Sequence, residues 1–140
     1  MYESVLFPTD GSETATQARE HAFSHAAAYD ASFHILSVTD TRFYTTSGEE
    51  FERETVKSEQ VLNETTAAAP EGITVSAVVR DGNPADEIVS YADKQEIDLI
   101  IMATHGRKGV DRFLHGSITE TVLRTAEQPV LAVRVQNSSE

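Results

Sequence analysis

Short runs of strand-forming apolar residues alternate with longer segments that carry apolar residues at helical spacing. The pattern runs from one end of the chain to the other, and few folds accept it. Ser4 to Thr9 is the first run, with Pro8 near its end and the turn signal Asp10-Gly11-Ser12 after it. Ala15, Ala18, Ala22, Ala26 and Tyr29 then fall on one helical stripe. Phe33 to Val38 reads as the second strand, Thr39 to Glu50 as polar, irregular chain, and Phe51 to Ala69 as a helix ended by Pro70-Glu71-Gly72. Ile73 to Val79 alternates as a third strand. Asn83-Pro84 opens the next helix: Asn83 can cap it, Pro84 suits its first position and Asp86 complements its dipole. Asp98 to Ala103 is the fourth strand. Ser117-Ile118-Thr119-Glu120 fits a capping box and predicts that the last helix begins there. Pro129 stops it, and Val130 to Val135 is the fifth strand.

Strict alternation of this kind predicts an α/β fold, an open five-stranded parallel sheet with helices on both faces. Right-handed crossovers leave few ways to wind it. Its 140 residues show no internal repeat or linker, so a single domain over 1–140 is expected. In an open doubly wound sheet, ligands bind beyond the carboxyl ends of the strands, where the winding reverses. If the first and fourth strands are neighbours, two loops meet at that point. One is Pro8-Thr9-Asp10-Gly11. The other is MATHGRKGVDRFLHGS, from Met102 to Ser117.

That second stretch joins a strand to a helix N-terminus, where unpaired N–H groups and partial positive charge collect. Gly116 admits a ligand close to the backbone, and Gly106 and Gly109 let the chain curl around an anion. Arg107, Lys108 and Arg112 bring cations to the same place. Phosphate binding is the natural chemistry. The residues alone leave a second reading open, a glycine-rich loop with a capped helix and no ligand. The Walker A spacing and the Gly-x-Gly-x-x-Gly fingerprint are both missing. Asp10 has several readings as well: a ligand contact at the strand end, a cap of the first helix, or an Asx turn with Gly11. His21 and His25 stand at i, i+4 but read as a solvated helix face, and no spacing argues for a Ser-His-Asp triad.

Charge narrows the partners. Asp and Glu total 23 against 11 Lys and Arg, a formal net charge of -12, and the acids are dispersed along the chain. Such a surface repels DNA and anionic membranes, so no nucleic acid and no membrane insertion are expected. Dispersed acid with few lysines resembles proteins of salt-accumulating halophiles; a merely acidic protein is the plainer reading. With no cysteine, disulfides and thiolate metal sites are excluded. No run approaches a membrane span, the first residues lack a basic leader region, and a cytoplasmic location is expected.

The stretch from Ala103 to Ser117 also carries a specific resemblance. Ala103, two residues, Gly106, nine residues, Gly116 and Ser117 resemble the nucleotide motif of ATP-binding universal stress proteins, although the first position there is usually glycine. PTDGS at Pro8 to Ser12, SVTD at Ser37 to Asp40 and PVLAVR at Pro129 to Arg134 are similar to the family's first, second and last strands. The resemblance implies a Rossmann-like sheet of the adenine nucleotide alpha hydrolase type in strand order 3-2-1-4-5. It implies that Pro8, Thr9 and Asp10 line an adenosine pocket and that Val38 offers backbone hydrogen bonds to the adenine edge. Ala103, His105, Gly106 and Arg107 would meet ribose and phosphates, and Gly116, Ser117, Ile118 and Thr119 would hold the phosphates. ATP is the implied ligand, with magnesium or manganese beside the triphosphate, and a homodimer through Val130 to Val135 the implied assembly. A regulatory nucleotide-binding protein with little or no turnover is the leading expectation. A slow ATPase or nucleotidyl-transfer enzyme and a nucleotide-free dimeric scaffold are its alternatives.

Overall fold

The computed structural model describes residues 2–42, 48–105 and 114–135. Among these residues strands and helices alternate as β1 (Ser4–Pro8), α1 (Glu13–Tyr29), β2 (Ser32–Asp40), α2 (Glu49–Ala68), β3 (Val75–Gly82), α3 (Pro84–Lys94), β4 (Leu99–His105), α4 (Leu114–Thr125) and β5 (Val130–Val135). The strands form one parallel sheet in the order β3-β2-β1-β4-β5, as expected.

Because side chains alternate across a strand, each sheet face gathers its own core. Val5, Phe7, Phe33, Ile35, Leu99 and Ile101 face one side and pack with Ala18, Ala22, Phe23 and Ala26 of α1 and Leu62 of α2. Leu6, Leu36, Ile100 and Met102 face the other and pack with Ile88, Tyr91 and Ala92 of α3 and Val122 of α4. The alanines of the stripe read from the sequence are buried on α1 and let the helix lie close on the sheet, together with Phe23, which the stripe omitted; Tyr29, read as its last member, is 41% exposed at the helix end. Ser12 caps α1 through its hydroxyl, which accepts the Ala15 N–H at 3.1 Å. Asn83 caps α3 as expected, its Oδ1 accepting the Asp86 N–H at 3.2 Å. No described helix is long and apolar enough to cross a membrane.

Of the boundaries that depart from the sequence reading, three have a clear physical reason. Thr39 and Asp40 belong to β2 because they pair with Asp81 and Gly82 of β3; pairing overrides their polarity. The third strand starts at Val75 and runs to Gly82, so Ile73 packs on the core from the approach to the strand rather than from within it. The capping box at Ser117 is not a helix start: α4 is already under way at Leu114. The Ser117 carbonyl accepts the Thr121 hydroxyl at 3.0 Å, a bond of the helix interior. Ser-x-x-Glu is equally compatible with an interior turn, so the pattern alone did not locate the end.

Unequal strand lengths place the site. The β1–β2 register ends at Pro8 with Leu36, and the β1–β4 register at Leu6 with Ile100. Beyond those pairs β2 continues with β3 as far as Asp40, and β4 continues with β5 as far as His105. A gap therefore opens over the end of β1, between β2 and β4, where the winding of the sheet reverses.

Candidate functional site

A cleft of about 620 Å³ fills this gap, within the size range of small-molecule sites. Pro8, Thr9, Asp10, Val38, Ala103, Ile118 and Thr119 all line it. The structure thus brings together residues that the sequence separates by more than a hundred positions. His105 ends β4 and Gly116 lies in the first turn of α4. Ser117 is exposed, next to Ile118. Gly106 and Arg107, with Lys108, Gly109 and Arg112, lie outside the described residues.

Backbone parity explains what the cleft offers a ligand. In a parallel strand, the N–H and C=O of one residue point to the same side and those of the next point to the other. Ser32 N–H donates to the Glu3 carbonyl and Thr9 N–H to the Leu36 carbonyl, both at 2.9 Å, so even-numbered β2 residues address β1. Phe33 N–H donates to the Thr74 carbonyl at 2.8 Å and Thr41 N–H to the Gly82 carbonyl at 3.2 Å, so odd-numbered residues address β3. Val38 is the next even residue after Leu36, and the β1 register has stopped. Its N–H and C=O therefore face the cleft, and among the described residues no rung of the sheet takes them up. A donor and an acceptor on one residue, side by side at the rim of an apolar pocket, can read the edge of a flat heterocycle.

The first loop is held by its own side chains. Thr9 Oγ1 accepts the Gly11 N–H at 3.1 Å and Asp10 Oδ1 accepts the Ser12 N–H at 2.9 Å. The Asx turn anticipated for Asp10 is therefore formed, while the residue also borders the cleft. Gly11 adopts a φ of +79°, which side-chain-bearing residues rarely take. Opposite, the Thr119 hydroxyl donates to the Ala103 carbonyl at 2.8 Å and pins the first half of α4 to the end of β4. That hydroxyl is committed to the protein, so Thr119 serves the cleft by fixing the helix. Among the described residues α4 begins at Leu114, just ahead of the cleft-lining Ile118 and Thr119, and a helix N-terminus in general carries N–H groups without intrahelical partners and partial positive charge.

Helix α2 supplies a wall that the sequence did not reveal: Glu54, Lys57, Ser58, Gln60, Val61 and Glu64. Ser58 and Thr39, both buried, share a hydroxyl–hydroxyl bond of 3.0 Å. Lys57 Nζ lies 3.3 Å from Glu54 Oε2. Pro84 and Ile88 of α3 close the lower side. At the end of β2, Asp40 is bracketed by Arg42, with Nη2 at 2.7 Å and Nε at 2.9 Å from its oxygens. Burial pushes the Asp40 carboxyl up, but the side-chain and backbone bonds and the charge of Arg42 outweigh it and hold the carboxyl below its usual range. Among the described residues no group of three or more His, Asp or Glu converges as a metal site.

Residues 1–134 match the model of the Universal stress protein family. Universal stress protein MJ0531 of Methanocaldococcus jannaschii is 33% identical over 141 residues, covering 96% of this chain and 83% of that protein. The solved structure of MJ0577, from the same archaeon, has a TM-score of 0.74 at 34% identity and covers 98% of this chain and 99% of that one. A universal stress protein solved in complex with cAMP has a TM-score of 0.69 at 25% identity, covering 94% of this chain and 97% of that one.

Proposed function

Because the chain belongs to the universal stress protein family, we propose that it binds an adenine nucleotide in this cleft, with ATP as the ligand. Its role is regulatory, in a stress response, with little or no turnover. The observation that carries the reading is the unpaired backbone edge of Val38. Adenine presents a ring acceptor and an exocyclic amino donor on one edge, and Val38 offers the complementary N–H and C=O. The cAMP held by a similar protein supports an adenine nucleotide. The triphosphate is argued from the start of α4 and from Arg107, Lys108 and Arg112, which the sequence sets just before it.

In this reading Pro8, Thr9 and Asp10 line the adenosine, and Ala103, His105, Gly106 and Arg107 meet ribose and phosphates. Gly116, Ser117 and Ile118 present backbone to the phosphates, and Thr119 holds the helix that presents them. Magnesium or manganese belongs to the nucleotide: the described carboxylates form no cage for it, and such ions keep water and phosphate oxygens as ligands. Low turnover is argued from the acids nearest the strand ends. Asp10 is bonded to Ser12 and Asp40 is clamped by Arg42, so neither is free to act as a general base. Function as a single domain in the cytoplasm is part of the same reading.

A homodimer through β5 completes it. Ile100 N–H donates to the Pro129 carbonyl at 3.0 Å, so Pro129 and alternate residues after it address β4. Ala132 has the opposite parity and turns its N–H and C=O outward from the sheet edge, where a second copy can pair antiparallel. Light scattering of the native chain is expected to give twice the monomer mass, and Ala132→Pro the monomer mass. A monomeric native chain refutes the interface.

Mass spectrometry of the small molecule released on denaturing the purified protein tests the ligand. An adenine nucleotide is expected, and calorimetry should find ATP binding abolished in Gly116→Val with the circular dichroism unchanged. Unchanged affinity in that variant removes the phosphates from the start of α4.

A further inference from the structure

The walls of the cleft are attached with very different strength. Leu36, Met102 and Ile88 are core residues, exposed by 0%, 6% and 3%. Helix α2 has 20 residues, yet its buried ones are Ser58, Leu62 and Thr65, a single aliphatic side chain among them. Its N-cap is Gly48, which makes no side-chain capping bond, and its last turn carries no basic residue. A helix with so little apolar anchorage opens at lower free energy than the core elements around it.

Besides Leu62 in the core, two contacts seat this helix at the border of the cleft, one on the loop after β1 and the other near the end of β2. At one, Val61 sits against Gly11, where an added Cβ would lie 2.5 Å from Val61 Cγ2. The helix can rest there only because residue 11 has no side chain. At the other, Ser58 bonds to Thr39, the residue directly after Val38. The Val38 carbonyl belongs to the peptide plane shared with Thr39, so fixing Thr39 fixes the acceptor that faces the cleft.

We propose that α2 is a lid over the nucleotide, seated by Val61 on Gly11 and latched by Ser58 on Thr39, so that closing the helix and orienting the Val38 carbonyl are one event. Ser58 is a positioning residue in this scheme, acting on the base-reading edge through Thr39. The inference rests on the nucleotide reading above. It adds that ligand leaves only when the latch opens, and that bound nucleotide slows opening of a segment that otherwise opens more readily than the core.

Hydrogen exchange of the full chain, with and without ATP, reads the lid directly, and calorimetry on the same samples reports whether ATP is bound. Amides from Ser58 to Leu62 are expected to exchange about tenfold more slowly with ATP. Stopped-flow release of a fluorescent ATP analogue should be about tenfold faster in Ser58→Ala, with association within about twofold, as befits the loss of one buried hydrogen bond. The double variant Thr39→Val with Ser58→Ala removes both hydroxyls and strands neither. It should release the analogue as fast as Ser58→Ala while recovering the thermal stability that the single variant loses. Unchanged exchange in α2 with ATP shown to be bound overturns the lid and leaves the nucleotide reading standing. A flat calorimetric titration overturns the nucleotide reading, and the lid with it.

Discussion

A proline placed at position 38 should remove nucleotide binding and spare the sheet, whereas one placed at position 37 should do the reverse damage. The difference follows from backbone parity alone. Val38 N–H faces the cleft beyond the last β1 pair, so its loss breaks no rung. Ser37 is of the parity that addresses β3, is 2% exposed, and pairs in register with Val79. Losing its N–H leaves a buried acceptor unpaired and removes a rung, which costs roughly 2–4 kcal/mol. Val38→Pro should cost about 1–2 kcal/mol, from lost side-chain packing and a φ fixed nearer −65° than a strand prefers. For the ligand, the missing donor leaves a ring nitrogen of the base buried without a partner, worth about 1–3 kcal/mol, or about 5- to 150-fold in affinity. Urea unfolding and calorimetry with ATP on the two variants make the comparison. Similar losses of stability in both variants, or native-like ATP binding by Val38→Pro, would rule out the cleft-facing parity of Val38.

Gly11→Ala should destabilise by roughly 2–5 kcal/mol, combining left-handed strain with a clash on Val61 Cγ2. Val61→Ala should return part of that in a double-mutant cycle, because Val61 Cβ itself would stand at an ordinary 3.5 Å; additive unfolding energies exclude the close approach. Burial lowers the pKa of His34, which bonds through Nδ1 to the Tyr91 hydroxyl at 2.7 Å beside Arg80. The folded state then binds fewer protons than the unfolded one, so stability is full above the ordinary value of 6.5 and declines as pH falls through it toward the folded pKa. His34→Gln should melt with a flatter pH profile between about pH 7 and 5, and an equally steep one rules this out. The net charge of -12 predicts a melting temperature that climbs from dilute buffer to molar KCl, and a flat or falling trend removes the halophile-like reading.

Elements with local signals were legible in the sequence. The buried alanines of α1 and the Asn83-Pro84 start of α3 express physics contained within a few residues, and both formed as read, whereas Tyr29 at the end of the stripe did not become buried. The strand order was reached through resemblance rather than local signal, and the sheet bears it out. What failed depended on context outside the short pattern that was read. Thr39 and Asp40 are strand only because β3 is beside them. Ser117 sits inside α4 because Leu114 to Gly116 had already entered the helix, which a four-residue pattern cannot reveal. The wall contributed by α2 was invisible for a related reason. Its stripe marks which residues are apolar, whereas Ser58, Lys57 and Glu64 reach the cleft through the packing of a mostly polar helix. The bond from the Thr119 hydroxyl to the Ala103 carbonyl, between residues of two different elements, carries no local signal either.

The proposed adenine nucleotide site in the gap over β1 stands or falls with recognition of the base by Val38. Calorimetric titration of the protein, unfolded and refolded to free it of any bound molecule, with ATP and in parallel with GTP in magnesium buffer, tests it most directly. One saturable site per chain for ATP, with clearly weaker binding of GTP, is the predicted result. A titration with ATP that gives no heat beyond dilution, at protein concentrations of hundreds of micromolar and high salt, contradicts it.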